Sequence, residues 1–81
     1  MAKPSPKHAG NATLLAFGNG IKSSRQALGM SQEELAAIAD LDRSYMCGVE
    51  RGEHNLTLMA IVGISHPLNI KACDLLKIAD I

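Results

Sequence analysis

SQEELAAIADLDRSYMCGVERG, residues 31–52, has the pattern of two short helices that meet at a tight turn. Ser31 is a good N-cap, and Glu34 three residues on completes an S-x-x-E capping box. Leu35, Ala36, Ile38 and Ala39 then give the first helix an apolar side. Leu41 packs the turn, and Asp42 caps a second helix that runs through Arg43 to Arg51. Met46 and Val49 stand three apart on that helix, so they share its inner face. Arg43, Ser44, Cys47 and Gly48 remain on the other face, which is small and mostly polar. A rigid helix with such a face suits insertion into a DNA major groove.

The flanking sequence reads as helix throughout. Asn11 is a fair N-cap for a helix that ends at Gly29, a favourable residue just past a C-terminus. Leu14, Phe17, Ile21 and Leu28 keep its helical period, while Gly18 and Gly20 each lower its intrinsic stability by about 1 kcal/mol. After the loop Glu53–Leu56, Thr57 caps a fourth helix with Leu58, Ile61, Val62 and Ile64 on its apolar side. Pro67 predicts a stop or kink near Ser65 or His66, because proline in a helix interior costs about 3 kcal/mol. A fifth helix covers about 71–79, after an Asn69-Ile70 turn. No strand signal and no repeat is visible, so the expected fold is all-α, with five helices over residues 11–81. Residues 1–10, rich in Pro, Lys and small side chains, read as a disordered basic tail.

Composition narrows the function classes. Eighty-one residues make one domain with a modest core, and Phe17 and Tyr45 are its only aromatic residues besides histidine. No apolar run is long enough to span a bilayer, and the N-terminus lacks a signal-type hydrophobic region, so a cytoplasmic, nucleoid-associated location without a membrane partner is expected. Cys47 and Cys73 are too far apart and too few for a disulfide framework. They and His8, His54 and His66 lack zinc-ligand spacing. No nucleophile–base arrangement, Gly-rich phosphate loop or carboxylate pair stands out. Neither an enzyme, a cofactor, a metal site nor a small-molecule substrate is expected. The formal net charge is zero, which predicts weak non-specific affinity for nucleic acid and a modest salt slope. The distribution is uneven, however. Residues 1–30 carry Lys3, Lys7, Lys22 and Arg25 and no acid, while Glu33, Glu34 and Asp42 occupy first turns or caps, where they favour the helix dipole.

The run Phe17…Ile21…Arg25…Leu28-Gly29-Met30, then SQEELA, LDRSYMCGVERG, NLTL and PLNIKACDLL, resembles the Cro/CI-type helix-turn-helix regulators, also called the XRE family. Within it, LDRSYMCGVERGEHNLTL looks most like the controller proteins of restriction–modification systems, small dimeric regulators of their own operon. The resemblance implies a lambda-repressor-like domain in which helices 2 and 3 form the helix-turn-helix. It also implies a structural ion pair between Arg25 and Glu50. Three positions depart from the family pattern. Asp40 replaces the usual turn Gly, Ser24 replaces a common core Leu, and Pro67 falls near the end of helix 4.

The expected DNA-contacting residues follow from the pattern and the resemblance together. Gln32 opens helix 2, where its amide and nearby N–H groups can meet a phosphate. Arg43 is placed to grip O6 and N7 of guanine, worth about 1–3 kcal/mol of discrimination. Ser44 permits close approach and can donate a hydrogen bond, and Tyr45 lies against the sugar-phosphate backbone. Cys47 and Gly48 read little themselves but allow the helix to come close. In the following loop, His54, Asn55 and Thr57 are expected to hold a phosphate, with Thr57 also capping helix 4. Ile70, Leu75, Leu76, Ile78 and Ile81 exceed what one small core can bury. They point to a homodimer whose two recognition helices, about 34 Å apart, match a palindromic double-stranded operator. The expected function is transcriptional autoregulation. A phage or plasmid repressor, an antitoxin with a protein partner, and a protein-interaction module without DNA are the alternatives.

Overall fold

The computed structural model describes residues 10–81, so the expected basic tail lies outside the described residues except for Gly10. Five helices account for the regular structure: α1 (Ala12–Ala27), α2 (Gln32–Ile38), α3 (Arg43–Glu50), α4 (Leu58–Ser65) and α5 (Ala72–Ile78). Among the described residues there is no strand, and no helix is long and apolar enough to cross a membrane.

Side-chain caps set four of the five helix starts. Asn11 Oδ1 accepts from the N–H groups of Thr13 and Leu14 at 2.9 and 3.2 Å. The capping box at α2 is complete: Ser31 Oγ accepts from Glu34 N at 3.0 Å, and Ser31 N donates to Glu34 Oε1 at 2.9 Å. Hydrogen bonding from Ser31, its backbone N–H foremost and then its side chain, holds the Glu34 carboxyl below its ordinary range. Asp42 accepts from Ser44 N, and Thr57 Oγ1 accepts from Ala60 N. Turn chemistry ends the helices. Gly29 has φ +68°, and Asp40 takes φ +56° between α2 and α3. There Leu41 N donates to Ala36 O at 2.8 Å and closes the turn. Asp therefore does at this position what Gly does more cheaply, because its short polar side chain tolerates the left-handed region. Helix α4 stops at Ser65, two residues before Pro67.

All five helices feed one core: Phe17 and Ile21, Leu35 and Ala36, Met46 and Val49, Ile64 with Leu68 just beyond α4, and Leu75 with Ala79 just beyond α5. α1 packs on α3 and α5, and α2 packs on α3. Gly18 is the point of closest approach between α1 and α3. A Cβ there would lie 2.5 Å from Val49 O and 2.6 Å from Glu50 O. The loss of helix propensity at Gly18 is thus the condition for the α1–α3 crossing.

Several apolar residues expected inside lie outside. Ile38 is 62% exposed, because the inner face of α2 centres on Leu35, Ala36 and Ala39 and leaves Ile38 well round the helix. Leu28 is the C-cap of α1, beyond the packed length, and is exposed. Leu58 opens α4, and Val62 stands just over a quarter-turn from the inward Ile61 and nearly opposite Ile64. Both are exposed, as is Met59 at 73%. In α5 the correction is opposite. Leu75, expected at a dimer interface, is fully buried in the monomer core because it is the residue of α5 that faces the other helices. Ile70 and Leu76 are partly covered against that core, whereas Ile78 and Ile81 remain outward.

Replacing Gly18 by Ala sets a methyl group against two backbone carbonyls, so it should destabilise the domain by about 1–3 kcal/mol. Gly20→Ala meets a side chain and no backbone, the branch methyl Cγ2 of Ile78 at 2.9 Å with its Cβ at 3.7 Å, and should cost less than Gly18→Ala because the half-exposed Ile78 has solvent on its other side. Urea unfolding followed by circular dichroism compares the two. Equal midpoints would show that the α1–α3 contact is looser than described.

Candidate nucleic-acid interface

The recognition helix is fixed from behind by one buried ion pair. Arg25 Nε donates to Glu50 Oε2 at 2.7 Å, and Nη2 donates to Glu50 Oε1 at 3.0 Å. Arg25 Nη1 reaches the carbonyl of Met30 at 2.8 Å, so one guanidinium ties α1, the segment before α2 and the end of α3 together. Both residues are buried. The hydrogen bond to Glu50 raises the Arg25 pKa above its ordinary value, against the opposing effect of burial. Glu50 also accepts from Gln32 Nε2 at 2.9 Å. The Gln32 amide N–H expected at a phosphate is therefore turned inward, giving the buried carboxylate a third donor.

On the opposite side, α3 presents Arg43 and Ser44, both exposed, with Cys47 half-covered one turn on. Arg43 makes only a loose 3.8 Å ion pair with Glu33 of α2, and the two side chains are 67% and 74% exposed. An exposed pair of this length contributes little, so the guanidinium is free to reach a duplex. Arg51, not singled out in the sequence, extends the same side. It lies four residues after Cys47 and seven after Ser44, and that spacing was the available signal. Its exposed guanidinium donates to Glu53 Oε1 at 3.1 Å, a bond that raises its pKa.

The third side of α3 is closed. Tyr45 stacks on His54, with ring centroids 4.7 Å apart and an interplanar angle of 27°. His54 is buried and lies over Gly48, where a Cβ would be 2.5 Å from Nε2. Two expectations are corrected here. Gly48 is covered by a ring of its own chain and does not form part of an open reading face. His54, expected at a phosphate, is folded back against α3 because the loop closes over the notch that Gly48 leaves. Asn55 and Thr57 of the same loop stay exposed, with the Thr57 hydroxyl occupied in capping α4. The arrangement offers a cationic, small-residue strip (Arg43, Ser44, Cys47, Arg51) beside an aromatic shoulder, which suits a groove and its flanking phosphates. Among the described residues no group of three His, Cys, Asp or Glu is placed to hold a metal. Cys47 and Cys73 are free thiols.

A helix-turn-helix family model matches residues 21–75. The control protein C.BamHI of Bacillus amyloliquefaciens is 39% identical over 72 residues, spanning 88% of this chain and 89% of that protein. Among solved structures, the restriction-modification controller protein C.AhdI from Aeromonas hydrophila superposes with a TM-score of 0.77 at 44% identity, covering 79% of this chain and 97% of that one. The biofilm master regulator SinR, solved in complex with DNA, superposes with a TM-score of 0.70 at 31% identity over 74% of this chain and 97% of that one.

Burial pushes the Tyr45 phenol above its ordinary value of 10.0. A raised pKa means that the fold favours the protonated ring. That contribution is fully present below the unfolded value and is lost as pH rises through the folded one. Tyr45 is the only tyrosine, so its phenolate absorbance reports this site alone. The expected midpoint lies above that of the urea-unfolded chain; identical midpoints would place the ring in open solvent.

Proposed function

Because the chain belongs to the helix-turn-helix family, we propose that it is a sequence-specific, double-stranded-DNA-binding transcriptional regulator of the restriction–modification controller kind, acting on its own operon in the cytoplasm. One observation carries this reading: the inner side of α3 is locked by the buried Arg25–Glu50–Gln32 network while, among the described residues, Arg43, Ser44 and Arg51 are exposed and Cys47 is half-exposed between them. That is a preorganised recognition helix. Arg43, at its first position, is the principal base-reading residue. Ser44 and Cys47 allow close approach, and Arg51, Tyr45, Asn55 and the start of α4 serve the phosphates. A short reading strip leaves part of the selectivity to DNA shape.

The working unit is a homodimer on a palindromic site. One chain has principal extents of 30 × 28 × 20 Å, so two copies side by side can place their recognition helices about one helical turn, or 34 Å, apart. The outward side chains Leu58, Met59 and Val62 of α4, Ile78 of α5 and Ile81 beyond it supply the apolar surface for that contact. Exposed apolar surface with zero net charge also favours a second reading, a protein-docking module without DNA. Salt dependence separates the two, since phosphate contacts make log affinity fall with log salt and apolar contacts do not.

Fluorescence anisotropy with DNA from upstream of the chain's own gene, against a scrambled duplex at two salt concentrations, tests the reading. Selective, salt-sensitive binding is expected. Arg43→Ala should lose about 1–3 kcal/mol of discrimination between the operator and a site altered at the contacted guanine. No selectivity at low salt would favour the docking module. Met59→Asp and Ile81→Asp, followed by sedimentation equilibrium, test the dimer. At least one should yield monomers with unchanged helix content, and a dimer surviving both would move the interface elsewhere.

A further inference from the structure

We propose that His54 is a positioning residue for DNA recognition: by filling the notch at Gly48 and stacking on Tyr45, it sets the aromatic shoulder and the Glu53–Thr57 loop at a fixed height beside the reading strip. The inference rests on the DNA-binding reading above and deepens it.

Three observations converge on this residue. The stack with Tyr45 has a 4.7 Å centroid separation and is nearly parallel, a geometry that restrains both rings. The complementarity with Gly48 is specific, because any side chain on α3 at that position would meet Nε2 and Cδ2 at 2.5 and 2.7 Å. The third is chain direction. Gly52 turns the backbone at φ +75°, Glu53 N donates to Gly48 O at 2.9 Å, and the chain then passes His54 to reach Asn55 and the Thr57 cap of α4. His54 is therefore the side chain through which the loop grips α3.

Positioning follows from where the two ends lead. Tyr45 follows the exposed pair Arg43 and Ser44 by one turn or less, and Asn55 is the next residue after His54, exposed where the loop leaves α3. Apart from this stack Tyr45 only packs on the edge of the core and makes no side-chain hydrogen bond among the described residues, and Asn55 stands in irregular backbone. With the ring removed, Tyr45 regains rotamer freedom and the loop loses its contact with α3. Groups that meet a duplex at fixed spacing must then be ordered on binding, which weakens the complex. Gly48, which looks like a residue kept small for DNA, is kept small for His54.

The test uses the full chain, with the duplex chosen by the wild-type protein from a random pool. His54→Ala and Gly48→Ala should each weaken binding to that duplex about tenfold, the size of one aromatic stack, and weaken binding to scrambled DNA by a similar factor, because the groups that the ring places meet phosphates. His54→Phe, which keeps a ring in the notch, should stay within about twofold of wild type. The double variant Gly48→Ala/His54→Ala should bind like His54→Ala alone, because the methyl clashes only with the ring; such non-additivity is the mark of coupled residues. Circular dichroism confirms the fold of each variant, and the Tyr45 phenolate midpoint should fall in both single alanine variants. Wild-type affinity in His54→Ala, or additive losses in the double variant, would overturn the proposal. If wild type itself selects no duplex, the DNA-binding reading fails and this inference with it.

Discussion

The buried Arg25–Glu50 pair is the constraint on which the rest of this small domain depends. It joins the first helix to the third across twenty-five positions of sequence and reaches the segment between α1 and α2 through Met30 O. Such a pair is a weak source of net stability, since desolvating two charges consumes most of what their attraction returns. Its contribution is directional. Two parallel hydrogen bonds to one carboxylate define the rotation of α3 about its own axis more sharply than Met46 and Val49 can, because apolar contacts are indifferent to small rotations. Gln32 adds a third donor to Glu50, so the start of α2 and the end of α3 are tied by the same carboxylate.

Around that anchor, α3 is divided into three sides with different tasks. Met46, Val49 and Glu50 face the interior. Arg43, Ser44, Cys47 and Arg51 face outward, and Tyr45 with Gly48 meets the loop that follows. An eight-residue helix has little intrinsic stability. It is held by its Asp42 cap at one end and the ion pair at the other, with the histidine clasp on its flank. The Gly18 crossing belongs to the same logic: α1 comes within carbonyl distance of α3, which brings Arg25 close enough to make its bonds.

Much of this architecture was legible in the sequence because it is written in local signals. Asn11, Ser31, Asp42 and Thr57 mark helix starts by side-chain chemistry that acts within three residues, and each caps as expected. Gly29, Asp40 and Asn69 mark turns by the φ they tolerate. The Arg25–Glu50 pair is long-range and was readable only through the resemblance to lambdoid repressors. Periodicity failed where the helix is short: over seven or eight residues an apolar stripe can be rotated by a third of a turn without changing its pattern, which is how Ile38 and Val62 came to be assigned inward and Leu75 outward. The placement of His54, Gly48 and Gln32 was not legible at all. It depends on which of several polar partners the folded chain brings nearest, and a histidine beside an asparagine in a loop carries no local mark of being buried.

The separation of the sides of α3 bears on how such a protein diverges. The residues that hold the helix in place are not the residues that would meet a base, so mutation can alter Arg43, Ser44 or Cys47 while leaving the scaffold's contacts intact. Binding preference can therefore drift by single steps, each leaving a folded protein. The flank is different, since a change at Gly48 has to be answered at His54. Lineages that have exchanged that pair must have passed through an intermediate with a loosened clasp, or changed both residues together.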